Sequence, residues 1–176
     1  GAGALILDKR LELKPLLAGG GHEKGMRSGT ENVPAIVGFG VACELAQSRM
    51  RNLSSELLAM RDKLEQDLKD MGARIFGGNV QRLPNTSYFA FPGIGGETLV
   101  IELDKAGYAV ASGSACSSVS NDTSPTLLAM GVAPDIAKSA VRVSLGKDNK
   151  MHEIEGFLQA LHAVLNRLKR LTAIAV

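Results

Sequence analysis

Two long apolar stripes at helical spacing, with short strand-like runs between them, constrain this chain more than any other feature. Leu53, Leu57, Met60, Leu64, Leu68 and Met71 recur every three or four residues. They predict a helix over 53–71, closed by Gly72. Ile154, Phe157, Leu158, Leu161, Val164, Leu165, Leu168 and Leu171 form a second stripe and predict the last helix. A stripe of that width is stable only when it is buried against another layer. The material for that layer lies between the helices, in short runs at 74–76, 86–91, 108–111 and 141–145. In the last run Val141, Val143 and Leu145 alternate with Arg142 and Ser144, so a strand there turns the apolar residues to one face and the polar ones to the other.

The connecting signals agree with this plan. A helix over 97–106 stops at Gly107, and Ser124-Pro125 reads as a cap and first turn for a short helix ended by Gly131. Upstream, Asn32 caps a helix over 32–51 with Pro34 in its first turn. Ile36, Val37, Gly40, Val41 and Leu45 lie along one side of that helix. Residues 4–7 (ALIL) read as a buried strand with nothing before it, which suggests part of a longer protein. The order of elements gives an α/β or α+β layout.

With 176 residues the chain is long enough to bury a core. A net charge of +2 and the absence of Trp argue against nucleic-acid binding and base stacking. No apolar run reaches membrane-span length, and the amino terminus shows no signal pattern. Neither a membrane nor a nucleic acid is therefore an expected partner. The two cysteines, Cys43 and Cys116, form no metal-ligand spacing, and the three histidines are scattered, so no metal is expected. A reduced, cytoplasmic setting follows from the lack of a signal pattern.

Three places can carry chemistry. Cys116 sits in Ser112-Gly113-Ser114-Ala115-Cys116-Ser117-Ser118, among small residues between a strand and a capped helix. Buried structural cysteines usually have larger apolar neighbours. Two readings stay open here, a reactive thiol and a plain loop cysteine. Cys43, mid-helix beside Ala42, reads as a core or groove residue. The chain's 20 glycines exceed the usual share, and seven of them fall between Gly19 and Gly40. Within that stretch a glycine-rich loop, 19–30, leads into a helix amino terminus, where open amides and the helix dipole favour anions. An anion site and a structural turn are both compatible with it, and His22 reads as a structural histidine. Arg142 on its short strand is either a two-pronged grip for a carboxylate or a member of a surface ion pair.

Taken together, residues 19–34 (GGGHEKGMRSGTENVP), then Leu83-Pro84-Asn85-Thr86, then SGSACSS, then 141–146 (VRVSLG) resemble cysteine desulfurases of the class V aminotransferase family. Their order and spacing match over essentially the whole chain. The SGSAC form is similar to the group I branch, which serves iron–sulfur cluster assembly. The resemblance implies a pyridoxal-phosphate-dependent transferase of fold type I. Residues 1–45 would then be the tail of the large cofactor domain and 46–176 the small carboxy-terminal domain, a small mixed sheet with flanking helices.

It further implies that Cys116 takes sulfur from L-cysteine as a persulfide, leaving alanine, and that a sulfur-acceptor or scaffold protein receives it. Arg142 would bind the substrate carboxylate, with Asn85 on the substrate side of the cleft. Thr30 and Gly29 would reach the cofactor phosphate of the other subunit of a homodimer. The family's Schiff-base lysine falls upstream of the position matching Gly1, so the isolated chain is expected to be inactive. Residues 119–123 (VSNDT) depart from the family pattern. The alternatives are a cofactor-free sulfur-relay or interaction module, and a class V enzyme acting on another amino acid.

Overall fold

In the computed structural model, residues 1–113 and 123–174 are described. The chain divides into two compact units, Gly1–Arg51 and Asn52–Val176. Helix α1 (Val33–Asp70) begins in the first and continues into the second.

In the first unit, the loop before α1 is dense in left-handed backbone. Gly21, Gly25 and Gly29 have φ of 77°, 81° and 102°, as glycine permits. A 3₁₀ turn at His22–Gly25 contains Glu23 and Lys24 at φ 49° and 57°, which is strained for residues with a Cβ. Ser28 N–H donates to the Leu17 carbonyl at 2.9 Å and ties the two arms of the loop. The amide of Ala35 donates to Asn32 Oδ1 at 3.2 Å, so Asn32 caps α1 as expected.

Three expectations for this part of the chain are corrected. Residues 4–7 form no strand, and Leu5 and Ile6 are exposed. A strand exists only by pairing its N–H and C=O groups, and the described residues offer none to pair with. Cys43 is exposed rather than in a core, as are Ile36, Val37, Val41 and Leu45 on the same helix. The two helices expected over 32–51 and 53–71 are one. No glycine or proline interrupts residues 50–55, and Asn52 and Ser55 cost a helix interior only about 0.5 kcal/mol each. The Ser55 hydroxyl donates back to the Asn52 carbonyl at 2.8 Å, within the continuous helix.

The second unit is a sheet covered on both faces. Its described strands are β1 (Arg74–Ile75), β2 (Thr86–Ala90), β3 (Ala111–Ser112) and β4 (Ala140–Ser144), in the order β1-β2-β4-β3. Every pairing is antiparallel, where a mixed sheet was expected. Helix α2 (Gly96–Lys105) and the short helices α3 (Pro125–Ala129) and α4 (Pro134–Lys138) connect the strands, and α5 (Met151–Ile174) follows β4. The strand expected over 108–111 is reduced to β3, because residues 108–110 have no ladder partner and only 111–112 pair with β4.

On one face Phe89, Val141, Val143 and Leu145 meet both long stripes: Leu57, Met60, Leu64 and Leu68 of α1, and Ile154, Phe157, Leu158, Leu161, Val164 and Leu165 of α5. Leu168 packs at the margin; residue 171 lies outside the described side chains. Leu64, Leu68 and Leu161 are fully buried, each contributing about 1.5–3 kcal/mol over exposure. The opposite face carries a smaller core of Phe76, Ala90, Leu127, Val132, Ala137 and Ala140.

The element ends follow local chemistry. Gly72, Gly107 and Gly131 take the left-handed conformation after α1, α2 and α3. Ser124, buried, accepts the amide of Leu127. Glu153 in the first turn of α5 accepts the Lys150 amide at 2.8 Å and the Asn149 side chain, and these contacts hold its carboxyl below the usual range. Among the described residues no helix is long and apolar enough to cross a membrane.

Candidate active site

β4 organises the candidate site of the second unit. Its alternation is as the sequence requires: Val141 and Val143 are buried while Arg142 and Ser144 are exposed. Arg142 stands opposite Tyr88 of β2 on one side and opposite Ala111 of β3 on the other. Its guanidinium makes no hydrogen bond or ion pair among the described residues. A strand arginine with no partner among the described residues has a fork that suits a carboxylate ligand.

One strand end beyond, the segment that bears Cys116 leaves the sheet. Gly113 N–H donates to the Ala140 carbonyl at 2.9 Å, and the Tyr88 hydroxyl donates to the Gly113 carbonyl at 3.3 Å. Cys116 itself, with residues 114–122, lies outside the described residues, and so does most of the atypical stretch 119–123. Chain returns at Thr123 and at the Ser124 cap. Both ends of the segment line one cleft of about 190 Å³, together with Gly96, Thr98 and Lys138. Gly96 has no room for a side chain, since a Cβ there would lie 2.7 Å from the Ala140 carbonyl oxygen.

Asn85 lies at the start of β2, half-buried, and its carbonyl accepts the Leu145 amide at 2.7 Å. Its neighbours are held from α1. Arg61 donates to the Leu83 carbonyl at 3.1 Å. Arg82 donates to the Thr86 carbonyl at 2.9 Å and to Glu65 at 2.5 Å. Glu65 is buried, its second oxygen has no partner, and its charge is compensated by Arg82 alone among the described residues.

Thr30 and Gly29 belong to the first unit, and Thr30 is exposed. Beside them the Ser28 hydroxyl is buried with no partner among the described residues. Leaving such a group unsatisfied costs about 1–3 kcal/mol, which an accepting anion relieves. Arg27 reaches the Gly29 carbonyl at 3.3 Å.

Of the residues marked by the sequence, the sheet thus sets Arg142 near the root of the Cys116 segment, whereas Asn85 lies at the other end of the β2–β4 ladder, opposite Leu145. Thr30 and Gly29 form a separate group. The arginines that hold the 83–86 segment, Arg61 and Arg82, and Tyr88 were missed. Arg61 and Arg82 read as ordinary surface charges, and Tyr88 carried only the signal of alternating with Ser87 and Phe89 on β2.

The model for "Aminotransferase class-V" matches residues 1–157, and the chain belongs to that family. Within it, the chain is similar to cysteine desulfurases. It is 39% identical to the cysteine desulfurase of Gluconacetobacter diazotrophicus, over 98% of this chain and 44% of that protein. It is 38% identical to cysteine desulfurase IscS 1 of Archaeoglobus fulgidus, over 98% and 45%. Among solved structures, a NifS-like protein from Rickettsia africae superposes with a TM-score of 0.76 at 34% identity, covering 89% of this chain and 41% of that one. The chain therefore spans less than half the length of these relatives.

Proposed function

We propose that the full-length protein carrying this chain is a pyridoxal-phosphate-dependent cysteine desulfurase of the group I type. It takes sulfur from L-cysteine, releases L-alanine and holds the sulfur as a persulfide on Cys116. A sulfur-acceptor or scaffold protein in iron–sulfur cluster assembly then receives it. Residues 1–45 are the tail of the large cofactor domain and 46–176 the small domain. The enzyme is a homodimer and works in the reducing cytoplasm, where a free thiol persists. The observation that carries this reading is the place of Arg142, without a partner among the described residues, on the strand that also anchors the root of the SGSAC segment.

Arg142 binds the substrate carboxylate through both arms of its fork, and Asn85 stands on the substrate side. The Cys116 thiolate attacks the substrate sulfur. An S–S bond forms as the carbon–sulfur bond breaks, and the carbon takes a proton to leave as alanine. Thiol plus cysteine gives persulfide plus alanine, so no outside oxidant is consumed. Pyridoxal phosphate, when bound, supplies the electron sink that weakens the bonds at the substrate carbon. The 19–30 loop fits its phosphate: Thr30, Gly29 and the orphaned Ser28 hydroxyl are donors at the start of a helix. In the dimer these donors serve the other subunit's cofactor. The Schiff-base lysine is not among the residues of this chain that match the family's motifs.

Mass spectrometry of the full-length protein after incubation with L-cysteine tests the reading. One added sulfur is expected on the peptide containing Cys116, with alanine released. Sulfur on the Cys43 peptide, or alanine without any protein-bound sulfur, would overturn it. The phosphate assignment has its own measurement. Thr30→Ala should weaken cofactor affinity by about 1–2 kcal/mol, roughly 5- to 30-fold, the scale of a hydrogen bond to a charged group. In mixed dimers the loss should appear in the site of the unsubstituted partner, and unchanged affinity would remove Thr30 from the site.

A further inference from the structure

Tyr88 is not among the residues that the reaction above uses, yet it stands between two of them. On β2 it lies directly opposite Arg142, and its hydroxyl donates to the carbonyl of Gly113. Its ring meets Phe76 edge-on, with centroids 5.4 Å apart, and packs against the smaller core. A tyrosine held in this way by its ring presents its hydroxyl from a fixed place. The carbonyl it holds belongs to the last described residue before the segment that carries Cys116.

Gly113 is wedged there. A Cβ at that position would lie 2.7 Å from Tyr88 Oη, 3.1 Å from Ala140 Cβ and 3.3 Å from the Ala137 carbonyl oxygen. The residue is thus held by its amide on Ala140 and by its carbonyl on Tyr88, and it has no space to shift toward either. Downstream, buried Ser124 fixes the chain again through the Leu127 amide. Cys116 follows Gly113 by three residues, a tether of about 10 Å at full extension. Misplacing a reacting group by about 1 Å can cost 100-fold in rate, so the origin of so short a tether matters to the chemistry.

We infer that Tyr88 is a positioning residue for sulfur transfer: it fixes, beside Arg142, the point from which the Cys116 segment departs. This rests on the reading of Cys116 as the sulfur acceptor.

The test uses the full-length enzyme and Tyr88→Phe, which deletes only the hydroxyl. The single-turnover rate of persulfide formation on Cys116 should fall about fivefold, the worth of one neutral hydrogen bond. The KM for cysteine should stay within about twofold, because the substitution leaves Arg142 itself in place. The melting temperature should fall by no more than a few degrees, the worth of that one hydrogen bond, so the enzyme stays folded at the assay temperature. Without cysteine, alkylation of Cys116 by iodoacetamide should speed up, while the rate at Cys43, the internal control, stays as in the unsubstituted enzyme. Gly113→Ala should slow persulfide formation further, and adding Tyr88→Phe to it should restore part of the rate by removing the closest clashing atom.

An unchanged persulfide rate in Tyr88→Phe, a loss that only follows a lowered melting temperature, or strict additivity of the two substitutions would overturn the inference. If the unsubstituted enzyme places no sulfur on Cys116, the functional reading itself fails, and that result is separate from a silent Tyr88→Phe in an enzyme that does.

Discussion

Cys116→Ser in the full-length enzyme should fold, bind cofactor and bind cysteine, yet form no detectable persulfide and release no alanine. The thiolate is the species that attacks sulfur, and a serine hydroxyl is essentially un-ionised at neutral pH. Its sequence neighbours are small, so the substitution is expected to leave folding intact. The matched control is Cys43→Ser. Cys43 stands outside the motifs that carry the family resemblance, so this change should leave turnover intact. Alanine release measured alongside peptide mass spectrometry separates the two. Turnover by the Cys116→Ser enzyme at the wild-type rate would end the mechanism proposed here.

Arg142 should give the second large effect, and in a different parameter. Arg142→Lys keeps the charge but replaces a planar fork by a single ammonium, so one of two charge-assisted contacts to the carboxylate is lost. The KM for cysteine should rise roughly 10- to 100-fold, from a loss of about 1.5–3 kcal/mol. The rate at saturation should move much less. Stability should hold, because the side chain is exposed and the strand's place in the sheet comes from backbone pairing with Tyr88 and Ala111. A kinetically silent Arg142→Lys enzyme would return Arg142 to an ordinary surface charge.

The clamp on the 83–86 segment shows how support for a site hides in unremarkable residues. Glu65 and Arg82 are 17 positions apart, and neither stands in a motif. Burial is what gives the pair its importance, since a buried carboxylate must be compensated. Arg82 in turn holds the Thr86 carbonyl next to Asn85. Such a pair is invisible until α1 lies against the start of β2.

What the sequence determined by itself was whatever physics acts over a few residues. The stripes of α1 and α5 came out buried as spaced, and Asn32 and Ser124 cap the helices they precede. Gly72, Gly107 and Gly131 end theirs, because only glycine enters the left-handed region without cost. The alternation across β4 was legible for the same reason, and with it the exposed place of Arg142. Tertiary structure decided everything that needs a distant partner. It made an antiparallel sheet, left 108–110 outside the ladder and merged two expected helices into one. It also set Tyr88 on Gly113, 25 residues away. Helix periods, caps and turns are fixed by bonds to near neighbours along the chain, whereas strand pairing and burial depend on which remote surface arrives.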